Sequence, residues 1–169
     1  MFEGAAVVMG IAACGKTSVG ESLAARLGAI FIEGDRLHPR SNVEKMSAGI
    51  PLTDVDRWPW LAQVGNALKG DGARIASCSA LKRAYREHII DKAGRPVAFV
   101  FLDGSQELLE QRIAARKGHF MPPSLLASQL AALERPEVDE RAKAIDIGRP
   151  IEEIVAEASA WLLQQQEQS

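Results

Sequence analysis

The chain has 169 residues, of which 47% are hydrophobic and 25% are charged, and its formal net charge is −2 at pH 7. A chain of this length fits one domain with a single core, and the composition excludes a disordered or fibrous protein. The near-neutral charge lacks the basic excess that nucleic-acid binding usually needs. We therefore expect no nucleic-acid partner, and we expect any anionic ligand to be held by local groups.

The first residues, Met-Phe-Glu-Gly, lead directly into a short apolar segment, without the basic region and long apolar core of a signal peptide. No apolar run approaches the roughly 20 residues that a membrane span requires, so we expect no membrane partner. Two cysteines, Cys14 and Cys78, are too few for a disulfide framework. The expected location is therefore the cytoplasm.

Short β-rich segments alternate with longer helical ones, which is the pattern of parallel βαβ units and predicts the α/β class. Each predicted strand is short enough to be buried on both faces. The strands are predicted at 5–9, 29–32, 74–77, 97–102 and 144–147. The helices are predicted at 16–27, 41–48, 54–69, 81–93, 105–116, 125–133 and 151–166.

A phosphate-binding pattern, G-x-x-x-x-G-K-[ST], lies between the first predicted strand and the first helix. Glycines let the backbone turn tightly so that several N–H groups point inward, and the helix N-terminus adds partial positive charge. Lys16 can then reach the β- and γ-phosphates, and Thr17 can coordinate Mg²⁺. The alternative is a plain glycine turn. The predicted phosphate-binding residues are Gly10, Ile11, Ala12, Ala13, Cys14, Gly15, Lys16 and Thr17.

Two carboxylates, Glu33 and Asp35, follow the second predicted strand. The carboxyl ends of strands are where ligands bind in open α/β sheets, so both groups should lie beside the phosphate loop. Asp35 could orient or deprotonate a substrate hydroxyl, and Glu33 could hold Mg²⁺ through water. The alternatives are that Asp35 caps a turn and that Glu33 is a solvated strand end.

The next segment, 42–61, is dense in groups able to bind a polyol. It ends in Trp58 and Trp60, which we interpret as core residues. The alternative to polyol binding is a structural role, in which Thr53 or Asp54 caps a helix and Arg57 pairs with a neighbouring carboxylate.

Basic residues follow the third predicted strand, where Lys82, Arg83 and Arg86 approach the same edge of the sheet. A carboxylate ligand would suit them, because arginine binds carboxylates in bidentate geometry. The alternative is a solvated basic helix start. Since cations are unfavourable at a helix N-terminus, the pattern favours an anionic ligand near Arg83.

These motifs together resemble the gluconokinase family over nearly the whole chain. The phosphate loop is shared by many NTPases, whereas the other blocks, in this order and spacing, are more particular to gluconokinases. Those blocks lie at 33–35 with 38–39, 45–52, 54–60, 79–86, 118–122, 128–129 and 133–134.

The resemblance implies one P-loop NTPase domain over 1–169, a three-layer α/β/α fold with a five-stranded parallel sheet, like nucleoside-monophosphate and shikimate kinases. It implies a mobile lid at about 117–124 and an acceptor-binding segment at about 34–60. The implied reaction transfers the γ-phosphoryl group of ATP, with Mg²⁺, to gluconate and yields 6-phosphogluconate. A homodimer is also implied. The alternatives are a kinase for another polyol acid such as shikimate, or a nucleotide-binding switch module.

Site residues carried over by the resemblance include Arg112 as an adenine-stacking residue and Arg116 as a phosphate contact, with a helix-surface role as the alternative for both. Arg83 is the expected ligand of the gluconate carboxylate. The implied catalytic residues are Lys16, Asp35 and Arg116, and the metal ligands are Thr17 and Glu33. The implied substrate-binding residues are Asp35, His38, Arg57, Lys82 and Arg83.

The phosphate loop departs from its relatives at Ala13 and Cys14, where such loops often carry Gly and Ser. Cys14 beside an anion cradle is expected to be a partly activated thiol. Alkylation should then inactivate the protein, and ATP should protect it.

Overall fold

A computed structural model of the chain describes residues 1–116 and 123–169. In these residues, five strands form one parallel sheet in the order β2-β3-β1-β4-β5. The predicted α/β class and five-stranded parallel sheet are thus confirmed. The strands are β1 (Ala5–Met9), β2 (Ile30–Glu33), β3 (Arg74–Ser77), β4 (Val97–Asp103) and β5 (Ala142–Asp146).

The described residues form seven α-helices, which match the predicted ones with no end shifted by more than two residues. A short 3₁₀ helix, Gly34–Leu37, was not predicted, because it lies in a polar segment without periodicity. The α-helices are α1 (Lys16–Leu27), α2 (Arg40–Ser47), α3 (Asp54–Ala67), α4 (Arg83–Ala93), α5 (Gln106–Ala115), α6 (Pro123–Ala132) and α7 (Ile151–Glu167).

The core consists of two apolar layers, one on each face of the sheet. Successive side chains of a strand point to opposite faces, so Val8 of β1 faces α1 and α7 while Val7 faces α3 and α4. Leu23 and Leu162 belong to the first layer, and Leu61 belongs to the second. The result is the three-layer α/β/α arrangement that the sequence predicts.

The edge strands differ from the prediction that every strand is buried on both faces. β2 and β5 each pair with a single neighbour, and Ile30 at the start of β2 is 56% exposed. β5 also begins two residues earlier than predicted, because Ala142 and Lys143 pair with β4 although Lys143 interrupts the apolar pattern.

The start of α3 is fixed by a capping box. The Asp56 amide donates to the Thr53 hydroxyl at 3.2 Å, and the Thr53 amide donates to the Asp56 carboxylate at 2.9 Å. Thr53 is therefore the helix cap that the sequence suggested. No helix among residues 1–116 and 123–169 is long and apolar enough to cross a membrane.

The loops at the carboxyl edge of the sheet converge, because all strands run in the same direction. The loops after β1, β2 and β3 meet there, next to α3 and the end of α5. Most of the predicted lid at 117–124 lies outside the described residues, and its last two, Pro123 and Ser124, begin α6.

Candidate active site

The loop between β1 and α1 is a tight turn braced at its start. The Gly10 amide donates to the Ser79 carbonyl at 3.2 Å. Gly10 has a φ of +148°, and a Cβ there would lie 2.9 Å from the Leu102 carbonyl oxygen, so only glycine fits. The first turn of α1 carries no acidic residue, which leaves the partial positive charge of its N-terminus available to an anion.

Lys16 folds back over this loop. Its ammonium group donates to the carbonyl oxygens of Gly10 at 3.1 Å and Ile11 at 3.2 Å. These contacts hold the positive charge above the turn, where it can reach the phosphates of a nucleotide.

Gln129 of α6 makes a contact that sequence reasoning did not assign. Its Oε1 accepts a hydrogen bond of 2.8 Å from the amide of Ala12 in the phosphate loop. In the sequence, Gln129 stands out only as part of a block that resembles the family. Nothing in the sequence indicates that its side-chain amide binds a backbone group 117 positions away. The contact joins the helix after the predicted lid to the loop.

Thr17 and Glu33 place two hydrogen-bonded oxygen groups at the mouth of the loop. The Thr17 hydroxyl donates to Glu33 Oε2 at 2.6 Å, and the Ser77 hydroxyl donates to Glu33 Oε1 at 2.6 Å. Glu33 is therefore an anchored group rather than a solvated strand end. A hydroxyl and a carboxylate are hard oxygen donors, so this set fits Mg²⁺.

Asp35 lies at the site because the backbone at the preceding residue, Gly34, packs closely against the backbone of Ser77. A Cβ on Gly34 would lie 1.9 Å from the Ser77 carbonyl oxygen, so no other residue fits without a shift. Trp60 Nε1 donates to the Gly34 carbonyl at 2.8 Å and fixes the turn. Burial raises the pKa of Asp35, as does the charge of Glu33, while Lys16 and Arg116 lower it.

A cleft of about 460 Å³ opens beside these groups. It brings together most of the predicted phosphate-binding, catalytic and substrate-binding side chains. Its lining includes Ala12, Ala13, Gly15, Lys16, Thr17, Asp35, His38, Arg57, Trp60, Arg116 and Gln129.

Arg57 extends from α3 to the cleft, and its guanidinium group is held by contacts with Tyr85 and Asp54. Its Nη1 donates to the Tyr85 hydroxyl at 3.2 Å and lies 3.8 Å from Asp54 Oδ1. The suggested pairing with a carboxylate therefore exists, but it positions the guanidinium group instead of removing it from the cleft.

The tryptophans follow the core interpretation. Trp60 is 2% exposed, and its ring stacks on His38 at the cleft wall. Trp58 is half-buried and packs against Tyr85 and His88.

The structure does not bring Lys82 and Arg83 into the cleft. Arg83 donates to both carboxylate oxygens of Asp139, at 2.9 and 2.7 Å, and also to Glu87 and Glu137. Lys82 lies 3.4 Å from Asp54. The anionic partners of this helix start are thus carboxylates of the chain itself, which argues against the expected substrate carboxylate at Arg83.

Arg86 is likewise engaged within the protein. It is 1% exposed, and its Nε donates to Glu140 at 2.6 Å. Its Nη1 donates to the Ala80 carbonyl at 2.8 Å. Arg86 therefore stabilises the fold and is not available to a ligand.

Arg112 bridges two loops. Its guanidinium donates to the Cys14 carbonyl at 3.3 Å and to the Ile147 carbonyl at 3.0 Å, so it is not a helix-surface residue. Arg116, just beyond α5, lines the cleft.

Cys14 differs from the expectation of a reactive thiol. It is 1% exposed and lies under the loop, with its sulfur 4.0 Å from the Lys16 ammonium nitrogen. An alkylating reagent cannot reach this sulfur without opening the loop, so the geometry argues against rapid alkylation.

The comparisons with known proteins show which family the chain belongs to. A family model described as "AAA domain" matches residues 6–136. A gluconokinase from Gluconobacter oxydans is 54% identical over 139 residues, which cover 79% of this chain and 77% of that protein. The chain belongs to the gluconokinase family. The resemblance drawn from the sequence blocks is therefore confirmed.

Solved structures extend the family match to three dimensions. A gluconokinase from Sinorhizobium meliloti superposes with a TM-score of 0.91 at 52% identity, covering 98% of this chain and 94% of that chain. An APS kinase from Mycobacterium tuberculosis shares the fold, with a TM-score of 0.68 at 20% identity over 96% of this chain and 99% of that chain.

Proposed function

We propose that this protein transfers the γ-phosphoryl group of ATP to D-gluconate and releases 6-phospho-D-gluconate and ADP. The observation that carries the proposal is the shared cleft, in which the phosphate loop with Lys16 faces Asp35 and Arg57. Membership of the gluconokinase family supports gluconate as the acceptor.

The phosphate loop binds the nucleotide tail. Its inward amides and the N-terminus of α1 hold phosphate oxygens, and Lys16 neutralises charge on the β- and γ-phosphates. Arg116 reaches the same cleft from the end of α5, and its positive charge can stabilise the negative charge on the transferred phosphoryl group.

Thr17 and Glu33 would hold Mg²⁺, directly or through water. When bound, this ion neutralises phosphate charge during transfer. Ser77 keeps the Glu33 carboxylate turned toward Thr17 through its own hydrogen bond.

Asp35 aligns the acceptor. Its carboxylate accepts a hydrogen bond from the attacking hydroxyl, whose oxygen forms a bond to the γ-phosphorus as the bond to the β–γ bridging oxygen breaks. The hydroxyl proton leaves toward Asp35. Phosphoryl transfer depends mainly on such positioning and on charge neutralisation.

Arg57 is the better candidate for the gluconate carboxylate. Its Nη1 is held by Tyr85, while the guanidinium group borders the cleft. Arg83 has its donors committed to Asp139, Glu87 and Glu137.

A coupled assay of ADP release tests the function. The panel contains gluconate, other aldonic acids, shikimate and a control without acceptor. Sustained release that requires gluconate supports the proposal. Release that requires shikimate or another acid would favour a different kinase of this fold, and slow turnover independent of any acceptor would favour a nucleotide switch.

We also propose the homodimer that the family resemblance implies, with residues 117–124 as a lid and a cytoplasmic location. Sedimentation at a mass twice that of one chain would support the dimer.

A further inference from the structure

The imidazole of His38 lies in a fixed orientation at the wall of the cleft. Its ring stacks on the buried Trp60, with centroids 3.9 Å apart and planes 17° from parallel. Stacking leaves only the ring edges, with their two nitrogens, free for hydrogen bonds. The roles of Nδ1 and Nε2 therefore decide what His38 offers to a ligand.

The neighbour of Nδ1 is the side-chain amide of Asn42, which is 2% exposed. The Asn42 Nδ2 donates to the main-chain carbonyl of Asp56 at 2.9 Å and lies 3.2 Å from His38 Nδ1. A carbonyl oxygen only accepts hydrogen bonds, so the amide atom that faces Asp56 must be the nitrogen. The orientation of the Asn42 amide is thereby fixed.

The carbonyl of Asp56 is itself held in place. The Asp56 carboxylate accepts two hydrogen bonds from Lys45, at 2.9 and 2.8 Å, and one from the Thr53 amide at 2.9 Å. These contacts join α2, which carries Asn42, to the first turn of α3.

The amide of Asn42 has two N–H groups, and the second one points to His38 Nδ1. Nδ1 must then accept, which places the single proton of a neutral imidazole on Nε2. Burial, with the charge of Arg57, lowers the pKa of His38 to about 4, so the ring is neutral near pH 7.

The Nε2 edge is the one left for the cleft. His38 lines the cleft together with Asp35 and Arg57, whereas Asn42 does not. Among residues 1–116 and 123–169, no hydrogen-bond partner occupies Nε2.

We propose that His38 presents its Nε2–H as a donor to an oxygen of the sugar acid, and that Asn42 is the positioning residue that fixes this tautomer. The inference rests on the proposed function and deepens it. Arg57 supplies charge for the carboxylate, while His38 supplies a neutral donor that selects an acceptor with an oxygen at that position.

Two substitutions of His38 test the donor. In His38→Gln the amide nitrogen can reach the former position of Nε2, whereas in His38→Asn the shorter amide reaches only that of Nδ1. We expect His38→Asn to raise the KM for gluconate roughly tenfold, which corresponds to the loss of one hydrogen bond to the substrate. His38→Gln should stay within about threefold of wild type, and the KM for ATP should be unchanged in both. An unchanged KM for gluconate in His38→Asn would overturn the proposal.

Nitrogen NMR of histidine-labelled protein reads the tautomer directly. The chain has three histidines, and the His38 signals are those missing from His38→Gln. At pH 7 we expect a protonated Nε2 and an unprotonated Nδ1. In Asn42→Asp, the carboxylate should draw the proton to Nδ1 and raise the KM for gluconate. Should that variant fail to fold, the wild-type spectrum and the His38 pair still decide.

The outcomes separate this inference from the proposed function. A wild-type enzyme without gluconate-dependent ADP release overturns the proposed function and the substrate contact with it. An active enzyme whose His38 carries its proton on Nδ1 overturns this inference alone.

Discussion

At the scale of single residues, one position of the phosphate loop has a backbone conformation that favours glycine, but alanine occupies it. Ala13 has a φ of +68°, and the left-handed region costs a non-glycine residue roughly 1–2 kcal/mol. Because glycine also loses more freedom on folding, by roughly 0.5–1 kcal/mol, we expect Ala13→Gly to raise the free energy of unfolding by up to about 1 kcal/mol. Urea denaturation measures the difference.

Ala12→Gly is the matched control, because Ala12 lies outside the left-handed region. It should be neutral or destabilising by up to about 1 kcal/mol. An Ala13→Gly variant less stable than wild type would contradict the strain assigned to Ala13.

Alanine substitutions of the two arginines considered for the substrate carboxylate should affect the KM for gluconate to very different extents. Arg57 borders the cleft, so Arg57→Ala should raise the KM for gluconate by roughly 10- to 100-fold, the range for a hydrogen bond to a charged group. Arg83→Ala should leave this KM within about twofold, because its guanidinium group is bound by Asp139. Initial rates at saturating ATP measure both, and the reverse order would restore Arg83 as the ligand.

The lowered pKa of His38 predicts a pH dependence of stability. The folded state holds this pKa at about 4, below the ordinary value of 6.5, so the unfolded chain binds more protons between these values. The contribution of His38 is therefore complete above about pH 6.5 and is lost as the pH falls through about 4. Thermal melts across this window should show a larger decrease in Tm for wild type than for His38→Gln. Parallel curves would contradict the assignment.

The sequence predicts the residues of the site that follow strands, and it misses those that depend on distant partners. Lys16, Thr17, Glu33 and Asp35 were placed because the carboxyl ends of parallel strands meet at one edge. The pairing of Arg83 with Asp139 was not predicted, because Asp139 lies 56 positions further along the chain and no local pattern shows it.

At the scale of elements, α4 is tied to the segment before β5 by a buried ion pair. Arg86 is 1% exposed and Glu140 10% exposed, and removing one partner of such a pair leaves an uncompensated buried charge. We expect Arg86→Met to lower the free energy of unfolding by roughly 3–5 kcal/mol. Arg83→Ala should cost much less, because the carboxylates that pair with Arg83 are exposed to solvent. Equal losses in urea denaturation would contradict this distinction.

The strands and helices follow from periodicity, and the errors lie where periodicity ends. The central strand β1 is fully apolar and was placed without error, since both of its faces are covered. The start of β5 was missed because Lys143 is polar and pairs at a sheet edge. The 3₁₀ helix Gly34–Leu37 was missed because the hydrogen bond from Trp60 that fixes it comes from another element.

At the scale of the whole molecule, the residues of the candidate active site lie at one edge of the sheet. Two apolar layers hold β1 between α1 and α7 on one side and α3 and α4 on the other. The rigid sheet therefore presents the phosphate loop, Asp35 and Arg57 to one cleft. The family match is consistent with this arrangement, because a gluconokinase structure superposes over 98% of the chain.

The most direct test is a crystal structure of the protein with Mg²⁺, gluconate and an ATP analogue that cannot transfer its γ-phosphoryl group. We expect the phosphate chain on the amides of residues 10–17 and the terminal hydroxyl of gluconate within hydrogen-bond distance of Asp35. Gluconate bound away from Asp35, or a nucleotide bound outside the phosphate loop, would contradict the account.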